Sequence, residues 1–309
     1  MKIKILVALQ TFGEYSQMPV HLLKGSGAEI VMNDLRHRLL REEIVRLGKN
    51  CEGIIAGVEP YDEEVLDKLP MLKCISRCGV GTDNIDKKEA QKRKIAVLNT
   101  PDVVIQPVAE MTLAMAFDLL RLLSYHTSVL RSKQWKKKAG RLLAGSKVGV
   151  IGLGRIGKRV AEMFCALKAE VYGADISPDK DWAQKQGIKI MSGAELLKEV
   201  DILCLHVSVS AEDPFIMGEK ELSSMKPGSI VINTSRGKVV DEKALYNALS
   251  SGHLAGAGLD VYSQEPYEGP LRDLDNVVLT PHIATLTRES RARMEKEAVE
   301  NLLRYFELI

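Results

Sequence analysis

The sequence predicts an α/β protein made of two doubly wound, mostly parallel sheets, and three observations predict it. Apolar, strand-like runs alternate with charged stretches of helical period nearly throughout. A GxGxxG triplet (Gly152, Gly154, Gly157) stands between one such strand and one such helix. The chain has 309 residues, enough for two domains at roughly 150 residues each. A βαβα order of this kind implies parallel strands with helices over both faces.

In the first unit, residues 3–9, 29–32, 53–56, 73–76 and 95–99 read as strands, and 41–47, 63–69 and 86–94 as helices between them. After Pro101 comes a stretch rich in Ala, Leu and Met that reads as one long helix over 108–131. The second unit is the better formed, with strands expected at 147–151, 170–174, 201–207, 229–234, 255–261 and 276–279. The segment 287–309 is an amphipathic helix with Met294, Ala298, Val299, Leu302, Leu303 and Phe306 on one face.

Composition narrows the function. The chain is 45% hydrophobic and 27% charged, with 43 basic against 41 acidic residues. That balance argues against a nucleic-acid partner, which calls for a basic excess. There is also too much apolar residue for disorder. No apolar run approaches the ~20 residues of a membrane helix. The N-terminus is too short and too alternating for a signal peptide, so a cytoplasmic protein is expected. The five cysteines (Cys51, Cys74, Cys78, Cys165, Cys204) are odd in number and scattered, with no CxxC pair. Neither a disulfide framework nor a metal site is expected. The run Lys136–Lys138 is too short for a basic binding tract and reads as solvated surface.

The triplet carries chemistry because of its context. Gly152 permits a tight turn, Gly154 lets a pyrophosphate approach the backbone, and Gly157 lets helix and strand pack closely. The N–H groups of Arg155 and Ile156 at the helix start then face the phosphates. Asp175 ends the next strand, at the spacing where a carboxylate takes the ribose hydroxyls and repels a 2′-phosphate. The expected cofactor is therefore NAD.

Oxidising an alcohol beside a carboxylate needs a base and a cation. Histidine beside a carboxylate suits the first task, and the two-pronged arginine the second. Arg236, Glu265 and His282 each follow a predicted strand of the second unit. Strand ends in such a sheet form the ligand crevice, so the three are candidates for one catalytic set.

At this point the chain resembles the D-isomer-specific 2-hydroxyacid dehydrogenase family, most of all its phosphoglycerate-dehydrogenase branch. The likeness rests on residues 75–86, 108–110, 149–157, 225–228, 233–237, 259–261, 265–266 and 280–282, and it spans nearly the whole chain. It implies that Arg236 binds the substrate carboxylate and that His282 is the acid/base with Glu265 as its partner. It implies that Asp260 holds the nicotinamide carboxamide and that Val207, Thr234, Ser235 and Val80 line the cofactor. Loop Arg77–Cys78–Gly79–Val80–Gly81 would offer N–H groups to the substrate carboxylate. The implied architecture is a Rossmann NAD-binding domain (101–285) inserted in a flavodoxin-like substrate domain (1–100 and 286–309), with a hinged cleft that closes on the substrate. It also implies a homodimer formed through the helical region after Pro101.

Some positions depart from that branch. An Arg-Ser pair expected after the strand at 53–56 is replaced at Ala56-Gly57, and a proline expected after Val207 is Ser208. The candidates are therefore a 3-phosphoglycerate dehydrogenase-like enzyme and a hydroxypyruvate or glyoxylate reductase. A non-enzymatic NAD-sensing protein of corepressor type is the remaining alternative.

Overall fold

The structure is a computed structural model and describes residues 2–207 and 217–309. The chain divides into two compact units, Met1–Val104 with Thr285–Ile309, and Ile105–Ala284. These boundaries replace those expected at 100 and 285.

The first unit runs β1 (Lys4–Val7), α1 (Met18–Gly25), β2 (Glu29–Met32), α2 (Arg41–Gly48), β3 (Gly53–Ala56), α3 (Glu63–Asp67), β4 (Cys74–Arg77), α4 (Lys87–Lys92) and β5 (Ala96–Leu98). Its five strands are parallel in the order β2-β1-β3-β4-β5, the flavodoxin-like order. Register sets Leu6 beside Ile54 and Ile54 beside Ile75, and all three are buried. Asp62 and Asp86 start α3 and α4 by accepting the N–H of Val65 and Glu89, the usual side-chain N-cap.

The second unit opens with α5 (Ile105–Arg121) and α6 (Leu123–Arg131). Then come β6 (Lys147–Ile151), α7 (Arg155–Ala166), β7 (Glu170–Ala174), α8 (Lys180–Gln186), β8 (Lys189–Ile190), α9 (Gly193–Glu199) and β9 (Ile202–Leu205). The unit ends with α10 (Glu219–Ser224), β10 (Ile230–Asn233), α11 (Glu242–Ser250), β11 (Gly256–Leu259) and β12 (Val277–Leu279). Its sheet is parallel in the order β12-β11-β10-β9-β6-β7-β8. The winding reverses between β6 and β9, the switch point where such sheets open a ligand crevice.

The last helix, α12 (Arg288–Tyr305), returns to the first unit and packs on α1, β3 and β4. It buries Met294, Ala298, Val299, Leu302 and Leu303 there. Gly53 of β3 lies under it, where a Cβ would come within 2.9 Å of the Phe306 ring.

Two expectations are corrected. The single helix over 108–131 is two helices, broken at Leu122, whose φ is +56°. A left-handed residue cannot continue a right-handed helix. The strand expected over 201–207 is shorter, Ile202–Leu205. Among the described residues, no helix is long and apolar enough to cross a membrane.

Candidate active site

The glycine turn follows β6. Gly152 has φ +91°, and a Cβ there would strike the His206 carbonyl at 2.5 Å. A Cβ on Gly157 would lie 1.8 Å from the Gly152 carbonyl oxygen. These two glycines are demanded by packing. A Cβ on Gly154 would meet nothing within 4 Å among the described residues, so the backbone is open there to a ligand. Gly154 is also the N-cap of α7 and has no side chain to offer its first N–H groups, those of Arg155 and Ile156. Asp175, one residue beyond β7, accepts the Leu153 N–H at 2.6 Å and the Ser177 N–H at 2.8 Å. The carboxylate expected to take the ribose is thus tied to the turn expected to take the phosphates, and the arrangement fits a dinucleotide.

The other expected cofactor positions of this unit lie at the strand ends beyond β9 and β10. Val207 is half-buried beside His206; Ser208, the position of the missing proline, lies outside the described residues. His206 has a buried Nε2 with no partner among the described residues, and burial pushes its pKa down to about 4. Thr234 is buried, and its Oγ1 lies 2.9 Å from that of Thr112 on α5. Thr112 gives its single hydroxyl proton to the Val108 carbonyl. Thr234 must therefore donate to Thr112, which leaves the Thr234 oxygen as an acceptor. Ser235 is pinned by Asn233, whose Oδ1 accepts both the N–H and the Oγ–H of Ser235. The Asn233 amide also donates to the Arg236 carbonyl.

That turn presents Arg236, which is half-buried and donates from Nη1 to the Ser235 carbonyl at 2.7 Å. His282 and Glu265 meet beyond β12 and β11, with Nδ1 2.8 Å from Oε2. Burial raises the Glu265 carboxyl. The hydrogen bond and charge of His282, the Tyr262 N–H and the Arg236 guanidinium outweigh it and hold the group below its ordinary range. Arg236 is therefore close enough to be felt at the His282–Glu265 pair. Within this unit the structure brings the three predicted catalytic side chains to one set of adjacent strand ends.

Asp260 lies at the end of β11, next to the loop that carries His282. It is 0% exposed, and its carboxylate accepts the Thr280 hydroxyl at 2.6 Å and the N–H groups of Ile283 and Ala284 at 2.8 Å. Three donors from the loop 280–284 meet on it, so it also holds the loop that carries His282 (φ +55°).

The first unit holds the loop after β4. Arg77 folds its guanidinium over Gly79 (φ +134°), where a Cβ would collide with it, and donates to the Cys78 carbonyl. The Cys78 N–H goes to the Ala56 carbonyl, and the Gly79 N–H to Thr100 Oγ1. This corrects the expectation that both offer N–H groups to a substrate. Val80 is half-buried and has its carbonyl held by the Asn99 amide. The N–H groups of Val80 and Gly81 take no partner among the described residues. Cys78 is buried, and burial pushes its thiol up to about 11, so it is an inert filler.

Sequence reasoning missed Thr112, Asn233, Glu59, Arg291 and Glu295. Only Arg291 and Glu295 left a trace, a charged i,i+4 pair inside the apolar face of the last helix.

Residues 113–284 match the family model for the NAD-binding domain of D-isomer-specific 2-hydroxyacid dehydrogenases. The chain is 37% identical over 274 residues to a glyoxylate reductase of Korarchaeum cryptofilum, covering 86% of this chain and 82% of that one. It is 35% identical over 305 residues to a D-3-phosphoglycerate dehydrogenase of Archaeoglobus fulgidus, covering 97% of this chain and 56% of that one. Among solved structures it is similar to a D-lactate dehydrogenase of Aquifex aeolicus complexed with NAD and lactic acid. The TM-score is 0.84 at 31% identity, with 98% and 95% of the two chains covered. The chain belongs to the D-isomer-specific 2-hydroxyacid dehydrogenases, NAD-dependent oxidoreductases that act on CH–OH donors.

Proposed function

We propose that the chain interconverts a small, unphosphorylated 2-oxo acid and its D-2-hydroxy acid, with glyoxylate or hydroxypyruvate as the acid reduced. The observation that carries this reading is the His282–Glu265 pair, 2.8 Å apart, at strand ends next to the one that carries Arg236. Bound NADH supplies the hydride. Arg236 takes the substrate carboxylate with its two prongs and polarises the adjacent carbonyl. With Nδ1 fixed on Glu265, His282 presents Nε2 to the reacting oxygen, gives its proton in reduction and takes it back in oxidation. The Glu265 carboxylate stabilises the imidazolium. Gly152, Gly154, Arg155, Ile156 and Gly157 hold the pyrophosphate, and Asp175 the adenosine ribose. Val207, Thr234 and Ser235 line the nicotinamide side. Within the first unit, Arg77 and the Val80 and Gly81 N–H groups are donors that suit an acid substrate.

The preference for an unphosphorylated acid rests on the end of β3. A side chain at Gly57 would come within 3.1 Å of both Glu59 carboxylate oxygens and 2.9 Å of Leu9. Glu59 is 3% exposed and accepts the Gly57 N–H at 2.7 Å. The strand end thus carries a buried acidic side chain, its pKa raised by burial, beside the position where an arginine was expected, and adds no cation there for a phosphate. The name of the Korarchaeum relative agrees with this choice. Steady-state NADH oxidation with glyoxylate, hydroxypyruvate, pyruvate and 3-phosphohydroxypyruvate tests it. At least a tenfold higher kcat/KM for the unphosphorylated acids is expected. A preference for the phosphorylated acid overturns the substrate choice, and no turnover of any acid with intact NADH binding overturns the activity.

A homodimer is part of the same reading. Helix α6 buries none of its residues, and Leu123, Leu130, Trp135 and Leu142 stand exposed along it and the segment that follows. All five cysteines are free, which suits a reducing cytoplasm, and the near-neutral charge suits no nucleic acid.

A further inference from the structure

Helix α12 buries an apolar face, yet it carries an ion pair within it. Glu295 is 0% exposed, and its Oε1 lies 2.9 Å from Arg291 Nη2, one turn earlier. Removing two charges from water is expensive, and apolar residues of like volume at such sites are commonly neutral or stabilising. Fold stability alone does not call for this pair.

The pair reaches two loops. Glu295 Oε2 accepts the Gly13 N–H at 2.9 Å, in the loop after β1. Arg291 Nη1 points at Cys78 Sγ, 3.8 Å away, in the loop after β4. Both loops lie at the C-terminal ends of parallel strands, the ligand side of such a sheet. A second brace runs from the same helix, since the Asn301 amide donates to the Asn99 carbonyl and the Asn99 amide donates to the Val80 carbonyl. Loop 78–81 is therefore tied to α12 at Cys78 directly and at Val80 through Asn99.

We infer that Arg291, held by Glu295, is a positioning residue that fixes loop 78–81 and thereby sets the affinity for the acid substrate. The inference rests on the proposed role of that loop in binding the substrate carboxylate. Arg291 acts from behind the loop through Cys78. Its loss weakens acid binding and leaves the cofactor positions of the second unit untouched.

The double variant R291M/E295M replaces the pair with apolar side chains of similar volume. It is expected to keep or raise Tm, to raise KM for the preferred 2-oxo acid at least tenfold with kcat within about threefold, and to leave NADH affinity within twofold. R291K retains the charge opposite Glu295 but lacks the second prong toward Cys78, so KM is expected to stay raised. An unchanged KM in both variants, or a KM rise accompanied by equal loss of NADH binding, overturns the inference. If the wild-type chain turns over no 2-oxo acid, the proposed function fails instead. Amide hydrogen exchange then decides the inference by itself. Exchange at 78–81 should quicken at least tenfold in R291M/E295M, and unchanged exchange overturns it.

Discussion

At His282 the backbone is left-handed, and the carboxylate of Asp260 explains how it stays so. Thr280, Ile283 and Ala284 all donate to that one buried group, which over-determines the conformation between them. Glu265 then sets the tautomer. Substituting His282 by Ala should lower kcat by about 10²–10⁴-fold, measured under saturating acid and NADH. Glu265→Gln should move the pH profile of kcat/KM toward acid, because the protonated imidazole loses its anionic partner. An unmoved profile would separate Glu265 from the proton transfer. Glu265 sits below its ordinary range in the fold, so its stabilising contribution is present above the ordinary carboxylate pKa and is lost as pH falls.

His206 titrates in a different window. Its pKa is pushed down to about 4, against about 6.5 in an unfolded chain. The unfolded state binds the extra proton first, so stability is intact above about pH 6.5 and falls as pH drops toward 4, by roughly 3 kcal/mol at about 1.4 kcal/mol per unit. His206→Asn should flatten the fall of Tm between pH 7 and 5; an unaltered slope would place the acid sensitivity elsewhere. The candidate catalytic residues were legible because each follows a strand recognisable from its apolar run. The role of Asp260 was not, because counting the donors around a carboxylate requires the loop conformation.

Among the elements, the strand–turn–helix from β6 through α7 was readable in full, since glycine spacing and apolar period agree. The structure adds which glycine does what. Gly157→Ala would place a methyl group against the Gly152 carbonyl and push α7 off the strand. NADH affinity, followed by fluorescence titration, should weaken at least tenfold. Gly154→Ala meets no atom of the described residues, so its effect on Tm should be small and its loss should appear only in NADH binding. The break at Leu122 was invisible because Leu is a strong helix former and no Gly or Pro marks the site. The two-residue strand β8 lacks a detectable period, and α1 begins at Met18-Pro19 without a side-chain cap.

At the scale of the whole molecule, the alternation of runs announced two α/β units, and the insertion of one in the other followed from the resemblance. Sheet order was beyond the sequence, because parallel neighbours are chosen by crossovers and not by local pattern. The apolar surface of α6 and of the following segment is the other whole-molecule feature. Patches of this kind on a folded chain mark association surfaces. Leu123→Glu with Leu130→Glu should convert the proposed dimer to a monomer in light scattering without unfolding either unit by circular dichroism. A wild-type protein that is already monomeric at micromolar concentration would remove the dimer.

Helix α12 is the last element in the sequence and a wall of the first unit's interior, with Leu302 and Leu303 completely enclosed. On the ribosome the strands of the first unit therefore emerge with an open flank that stays unsealed until α12 has been made, while the segment made in between already contains its entire sheet. Domains usually mature in order of synthesis; here the first to be made is the last to close.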